Sequence, residues 1–201
     1  MGSRRRRLEE EVFEKLSLKL VDQLALHRIK PIFITIFAFL SALASATLYY
    51  IAAHKPPYYF LAALLLILSG LLDAVDGAVA RRLGMVSEVA AFLDSVLDKL
   101  GECAVYIAII VSGAVSVFWG SLALASSIMV SYVRHRAEPL KVSLKGVGFM
   151  ERAERIILLI AASVIEPFIA SALEVTMIII SIFALITVAW RIIYVVQSLR
   201  K

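Results

Sequence analysis

The sequence predicts an all-α integral membrane protein, with six transmembrane helices preceded by an N-terminal amphipathic helix lying in the membrane interface. Three observations lead there. Hydrophobic residues make up 61% of the 201 positions and the mean hydropathy is +0.89, whereas a soluble chain of this size is about half apolar. The apolar residues gather into six blocks, each near the ~20 residues that a helix rising 1.5 Å per residue needs to cross a bilayer. Alternation of period two is absent and the blocks are too long for strands.

Residues 1–30 form a basic N-terminus and juxtamembrane segment, and residues 31–201 the six-span domain. In the first segment Arg4, Arg5, Arg6 and Arg7 make a basic cluster, and Leu8, Val12, Leu16, Leu20 and Leu24 follow at steps of four. Glu9, Glu10, Glu14, Lys15, Lys19 and Asp22 occupy much of the remainder, which makes an interfacial amphipathic helix over 8–27. Because this segment is amphipathic and not a continuous apolar run, no cleavable signal peptide is expected. The blocks then run 31–53, 58–82, 88–112, 115–139, 148–167 and 172–198. Pro31 opens the first, where a helix start tolerates proline. His54, Lys55, Pro56 and Pro57 turn the chain, and Tyr58, Tyr59 and Phe60 supply interfacial aromatics. Residues 83–87, with Gly84, make a short connection, so spans two and three are expected to be antiparallel neighbours.

Basic residues set the expected orientation. Eight lie in residues 1–30, two at 81–82, six from Arg134 to Arg155 and two at 200–201, all on one face of a six-span arrangement. The other face has Lys55 alone, with Glu166 and Glu174 near its last loop. The positive-inside rule then places a multi-pass protein in the cell membrane with both termini cytoplasmic. The net charge of +5 is read as topology and contact with membrane lipids, not as nucleic-acid binding. Cys103 is the single cysteine and so has no internal disulfide partner.

One stretch carries the chemistry. Asp73 and Asp76 are spaced i,i+3 near the end of span two; Asp94 and Asp98 are spaced i,i+4 near the start of span three. Each pair shares a helix face. Four carboxylates in apolar helices desolvate badly and repel one another unless positive charge lies between them. A divalent cation, which takes oxygen ligands, is the simplest solution. The competing reading is a buried ion-pair cluster, Asp98 with Lys99 or Asp94 with Arg82. Gly77 lets a ligand approach the backbone, and Arg81 near the same mouth can hold a phosphate.

These residues read D-x2-D-G-x2-A-R, eight residues, then A-x3-D-x3-D. The pattern resembles the signature of the CDP-alcohol phosphotransferases, D-x2-D-G-x2-A-R-x8-G-x3-D-x3-D, with seven of its eight fixed positions met inside 26 residues. Ala90 stands where the family has its second glycine. The resemblance implies a six-span enzyme that transfers a substituted phosphate from a CDP-linked donor to an alcohol and releases CMP. It implies Mg²⁺ or Mn²⁺, as two ions, held by Asp73, Asp76, Asp94 and Asp98, with Asp98 also the general base. Asp73, Asp76, Gly77, Ala80, Arg81 and Ala90 would line the CDP site, and a homodimer is common in the family.

A second region concerns the acceptor. Arg134, Arg136, Arg152 and Arg155 lie in or beside apolar blocks, and Arg191 lies inside span six. An arginine there needs an anionic partner, and a phosphorylated alcohol meets that need where choline or a neutral amino acid does not. The run S-Y-x-R-x-R-A-E followed by G-x-x-E-R-x-E-R is similar to the phosphatidylinositol-phosphate and archaetidylinositol-phosphate synthase branch. That resemblance implies a donor of CDP-diacylglycerol or CDP-archaeol and inositol 1-phosphate as acceptor, its phosphate held by Ser131, Arg134, Arg136, Arg152, Arg155 and Arg191. Residues 31–35, Pro-Ile-Phe-Ile-Thr, replace the family's Pro-Asn-x-x-Thr. Glycerol 3-phosphate as acceptor and a soluble CDP-inositol donor are the nearest rivals. A cation transporter needs polar groups along a path to the far side, and the acids here cluster at one end.

Overall fold

The computed structural model describes Leu26, residues 30–85, 87–144 and 146–200. The amphipathic helix expected over 8–27 lies outside the described residues, Leu26 excepted. Among the described residues the chain is all helical: α1 (Pro31–Ala52), α2 (Tyr58–Leu83), α3 (Glu88–Val111), α4 (Val117–Ala137, continued by the 3₁₀ turn Glu138–Leu140), α5 (Arg152–Ile165) and α6 (Ala172–Leu199). Four of these, α1, α2, α4 with its 3₁₀ turn, and α6, are long and apolar enough to cross a membrane. They present large apolar side chains outward, among them Phe33, Phe37, Leu64, Phe118 and Ile193. A soluble fold would bury such a surface, and a bilayer covers it. The chain is a membrane protein.

Two helices depart from the expected spans. α3 has the length, 24 residues, but carries Glu88, Asp94, Asp98, Lys99 and Glu102. α5 has 14 residues, about 21 Å at 1.5 Å per residue, short of a ~30 Å hydrocarbon core. The apolar block from 148 does not start as helix because Gly148 sits at φ +109°, a conformation open to glycine and closed to helix. The helix begins at Arg152, after Glu151 in extended conformation.

The helices close into a ring. Each packs mainly on two others, in the cyclic order α1, α2, α5, α6, α4, α3 and back to α1. The expected pairing of spans two and three is therefore corrected: α1 packs on both, while α2 and α3 make little contact with each other. Small residues explain it. α1 buries Ala38, Ser41, Ala42, Ser45 and Ala46, which lets neighbouring backbones approach closely. At the tightest point a Cβ on Gly101 of α3 would lie 2.9 Å from the Ala42 Cβ. Inside the ring Tyr49, Tyr106, Ile109, Leu173, Met177 and Ile180 are fully buried. The polar groups among them are satisfied, Ser45 Oγ donating to Ala62 O at 2.8 Å and Tyr49 Oη pairing with Ser163 Oγ at 2.6 Å.

The connection between α2 and α3 is well terminated. Gly84 takes a left-handed conformation, φ +64°, and Met85 N–H returns to Ala80 O at 2.9 Å, closing the last turn of α2. Ser87 caps α3, its Oγ accepting the Ala90 N–H at 3.1 Å. These two caps bring the acidic end of α2 and the acidic start of α3 to one end of the ring.

Candidate active site

Asp76 is the most buried of the four acids, 5% exposed. Its Oδ2 accepts the Thr35 hydroxyl at 2.7 Å, so α1 orients the acid on α2. Asp94, across the connection, lies within the electrostatic reach of Asp76, Asp73 and Asp98, and its Oδ1 is buried without a hydrogen-bond partner among the described residues. Asp73 and Asp98 share one cation: the Arg152 guanidinium, at the start of α5, pairs through Nη1 with Asp73 Oδ2 and through Nη2 with Asp98 Oδ1. Lys99 Nζ adds a contact of 3.1 Å to Asp98 Oδ2 and one of 2.8 Å to Glu102 Oε2. Glu102 in turn holds Arg155, accepting its Nε–H at 2.8 Å and its Nη2–H as well.

The ion pairing weighed against a cation site is thus present, with Arg152 as its main partner and the Asp98–Lys99 pair as expected. No three acids among the described residues converge on one ready cation position. The donor set nevertheless fits a divalent cation. Asp73, Asp76, Asp94, Asp98 and Glu102 set five carboxylates against Lys99, Arg152 and Arg155, a formal charge of −2. All the acidic ligands are hard oxygens, and Asp94 Oδ1 is a buried acceptor that protein leaves unused.

The acids open on a cavity of about 760 Å³ at this end of the ring. Asp73, Asp94 and Asp98 line it from α2 and α3; Ser131 and Arg134 from α4; Arg152 and Arg155 from α5; Arg191 from α6. The cavity therefore gathers five of the six residues expected to hold the acceptor phosphate. Arg136, the sixth, is exposed and outside its lining. Arg134 is exposed too and 3.4 Å from Glu138 Oε1. Arg155 and Arg191 differ: each is 1% exposed. Arg155 Nη1 donates to Met150 O at 3.0 Å. Arg191 donates from Nε to Val147 O at 2.8 Å, from Nη1 to Val130 O at 2.9 Å and from Nη2 to Glu151 Oε1 at 2.6 Å.

Gly77, Ala80, Arg81 and Ala90 lie outside this cavity, toward the α2–α3 connection. Arg81 folds over Gly77, where an added Cβ would sit 3.5 Å from its Nη1. Ala90, in the first turn of α3, is half-buried and serves the Ser87 cap. Three residues of the network, Thr35, Glu102 and Glu151, had no role in the sequence reading, and Lys99 entered it only as the ion-pair partner of Asp98. The signal for Lys99 and Glu102 was their i,i+3 spacing inside an apolar block, where paired charges mark a site.

Comparison with known proteins agrees with this architecture. Residues 28–197 match the CDP-alcohol phosphatidyltransferase family. The archaetidylinositol phosphate synthase of Methanothermobacter thermautotrophicus is 38% identical over 172 residues, 84% of each chain. The phosphatidylinositol phosphate synthase of Mycobacteroides abscessus is 28% identical over 194 residues, 92% of this chain and 85% of that protein. The crystal structure of Mycobacterium tuberculosis phosphatidylinositol phosphate synthase with CDP-DAG bound superposes with a TM-score of 0.78 at 26% identity, covering 90% of this chain and 94% of that one. The structure of the same enzyme in complex with manganese and citrate gives 0.77, covering 89% and 88%. With its signature acids, helical ring and sequence all in agreement, the chain belongs to the CDP-alcohol phosphatidyltransferase family of membrane enzymes.

Proposed function

We propose that this enzyme transfers the lipid phosphate of CDP-diacylglycerol or CDP-archaeol to inositol 1-phosphate, releasing CMP. One observation carries the reading: a single cavity is lined by Asp73, Asp94 and Asp98 from α2 and α3 and by Ser131, Arg134, Arg155 and Arg191 from α4, α5 and α6, with Arg152 reaching across to Asp73 and Asp98. The acids suit a cation-bound pyrophosphate, and the arginines suit a second anion. The names of the relatives, and the CDP-DAG in the mycobacterial structure, support the same choice.

In this reading Asp73, Asp76, Asp94 and Asp98 hold two Mg²⁺ or Mn²⁺ ions, which when bound neutralise charge on the pyrophosphate. Thr35 keeps the Asp76 carboxylate turned toward its neighbours. Asp98 takes the proton of the inositol hydroxyl as that oxygen attacks the lipid-bearing phosphorus. The bond from that phosphorus to the CMP oxygen breaks, and CMP departs. Arg81, beside Gly77, Ala80 and Ala90, flanks the nucleotide. Arg134 and Arg152 receive the acceptor phosphate within the walls that Arg155 and Arg191 hold in place. The chain crosses the membrane six times, the short α5 doing so together with the non-helical segment 147–151 before it, with the basic segments and the cavity on the cytoplasmic side; the basic asymmetry supports that orientation.

The acceptor is tested by CMP release from purified protein with CDP-lipid and Mg²⁺. Inositol 1-phosphate is expected to exceed free inositol and serine by at least about tenfold, the discrimination that one lost charged contact gives, and to exceed glycerol 3-phosphate, which keeps the phosphate, through its ring hydroxyls alone. Equal or faster release with a neutral acceptor would overturn this choice.

A further inference from the structure

In its C-terminal half α6 buries two polar side chains one turn apart, Thr187 and Arg191, in an otherwise apolar stretch. Polar groups in such a helix need partners, and both find some of theirs in one segment, residues 147–151. Thr187 Oγ1 accepts the N–H of Phe149 at 3.2 Å and of Met150 at 3.3 Å, and its hydroxyl donates to Phe183 O at 2.8 Å. Its one donor and both its acceptor lone pairs are in use. Gly148 lies against the Thr187 methyl: a Cβ there would collide with Cγ2, and φ is +109°. Arg191 takes the segment at Val147 O and Glu151, and Arg155 takes it at Met150 O. Three buried side chains therefore grip a non-helical segment in extended contact with α6. That segment ends where α5 begins, at Arg152, whose guanidinium stands between Asp73 and Asp98.

We propose that Thr187 is a positioning residue for the acceptor side of the cavity. By holding the amides of Phe149 and Met150 it fixes where α5 starts, and hence where Arg152 stands opposite Asp98. The donor side, built on α2 and α3, has its own support in the Asp76–Thr35 contact and the packing on α1, and meets the clamped segment through Arg152 and Arg155. The assignment rests on the acceptor reading above for which wall receives the second substrate.

Thr187→Val keeps the shape and removes Oγ1. Its KM for the acceptor that the wild type prefers is expected to rise about tenfold to a hundredfold, the scale set by ångström misplacement of a binding group. The KM for CDP-lipid is expected to rise less, because Asp76 keeps its Thr35 contact and Asp98 keeps Lys99 when Arg152 shifts. Thr187→Ser, which keeps the oxygen, restores the wild-type acceptor KM. If Thr187→Val does not fold, Gly148→Ala carries the test, because it displaces the same segment with Thr187 intact; the same split in KM is expected. An unchanged acceptor KM in the folded variant, an equal rise in both KM values, or no rescue by serine would overturn the assignment. A wild type that prefers a neutral acceptor would overturn the acceptor reading instead, and the clamp would still stand or fall on the variant's own KM split.

Discussion

Asp98→Asn is expected to lower turnover by about 10²–10⁴-fold, the range that a positioned general base contributes, while CDP-lipid binding persists. The substitution keeps the side chain's shape and removes its ability to take a proton. It also leaves no cation stranded: Lys99 retains Glu102 at 2.8 Å and Arg152 retains Asp73. Loss of CMP release with retained binding of both a CDP-lipid analogue and Mn²⁺ therefore separates the base role of Asp98 from its role as a cation ligand. Turnover within a few fold of wild type would remove Asp98 from the base role.

Glu102→Met is expected to have the largest effect on stability, a loss of about 3–5 kcal/mol, because it strands a buried charge. Arg155 is 1% exposed and Glu102 is its carboxylate partner. Its other acceptor, Met150 O, is neutral. Replacing both partners, Glu102→Met with Arg155→Met, removes the charge pair together and is expected to recover most of that loss. The recovered fraction is a coupling energy, read from thermal unfolding in detergent across the four proteins of the cycle. Additive losses would mean that the pair is not the element holding α3 to α5.

Much of this site was legible in the sequence, for identifiable reasons. Spacings of three and four in Asp73, Asp76, Asp94 and Asp98 placed each pair on a helix face, and costly acids in apolar helices demanded a counter-charge. Arg134, Arg152, Arg155 and Arg191 were legible as cations that needed anions. Their partners were not, because those depend on which helices meet. Arg152 reaches Asp73 across 79 positions and Arg191 reaches Glu151 across 40. Hydropathy also failed to mark the start of α5, since Gly148, Phe149 and Met150 are as apolar as the helix that follows. What breaks the helix there is the positive φ of Gly148 and the hydroxyl of Thr187. The short 83–87 connection made α2 and α3 look like packed neighbours. The small residues of α1 prevailed, drawing both onto α1, and Asp73 and Asp98 meet through Arg152 of α5.

In the proposed reaction a phosphorylated acceptor keeps its own phosphate while gaining the lipid's. Mass analysis of the lipid formed from CDP-lipid and inositol 1-phosphate tests it most directly. The expected product carries two phosphates, one from each substrate, in a one-to-one ratio with the CMP released. A lipid with a single phosphate, or CMP released without any new lipid, would contradict the account.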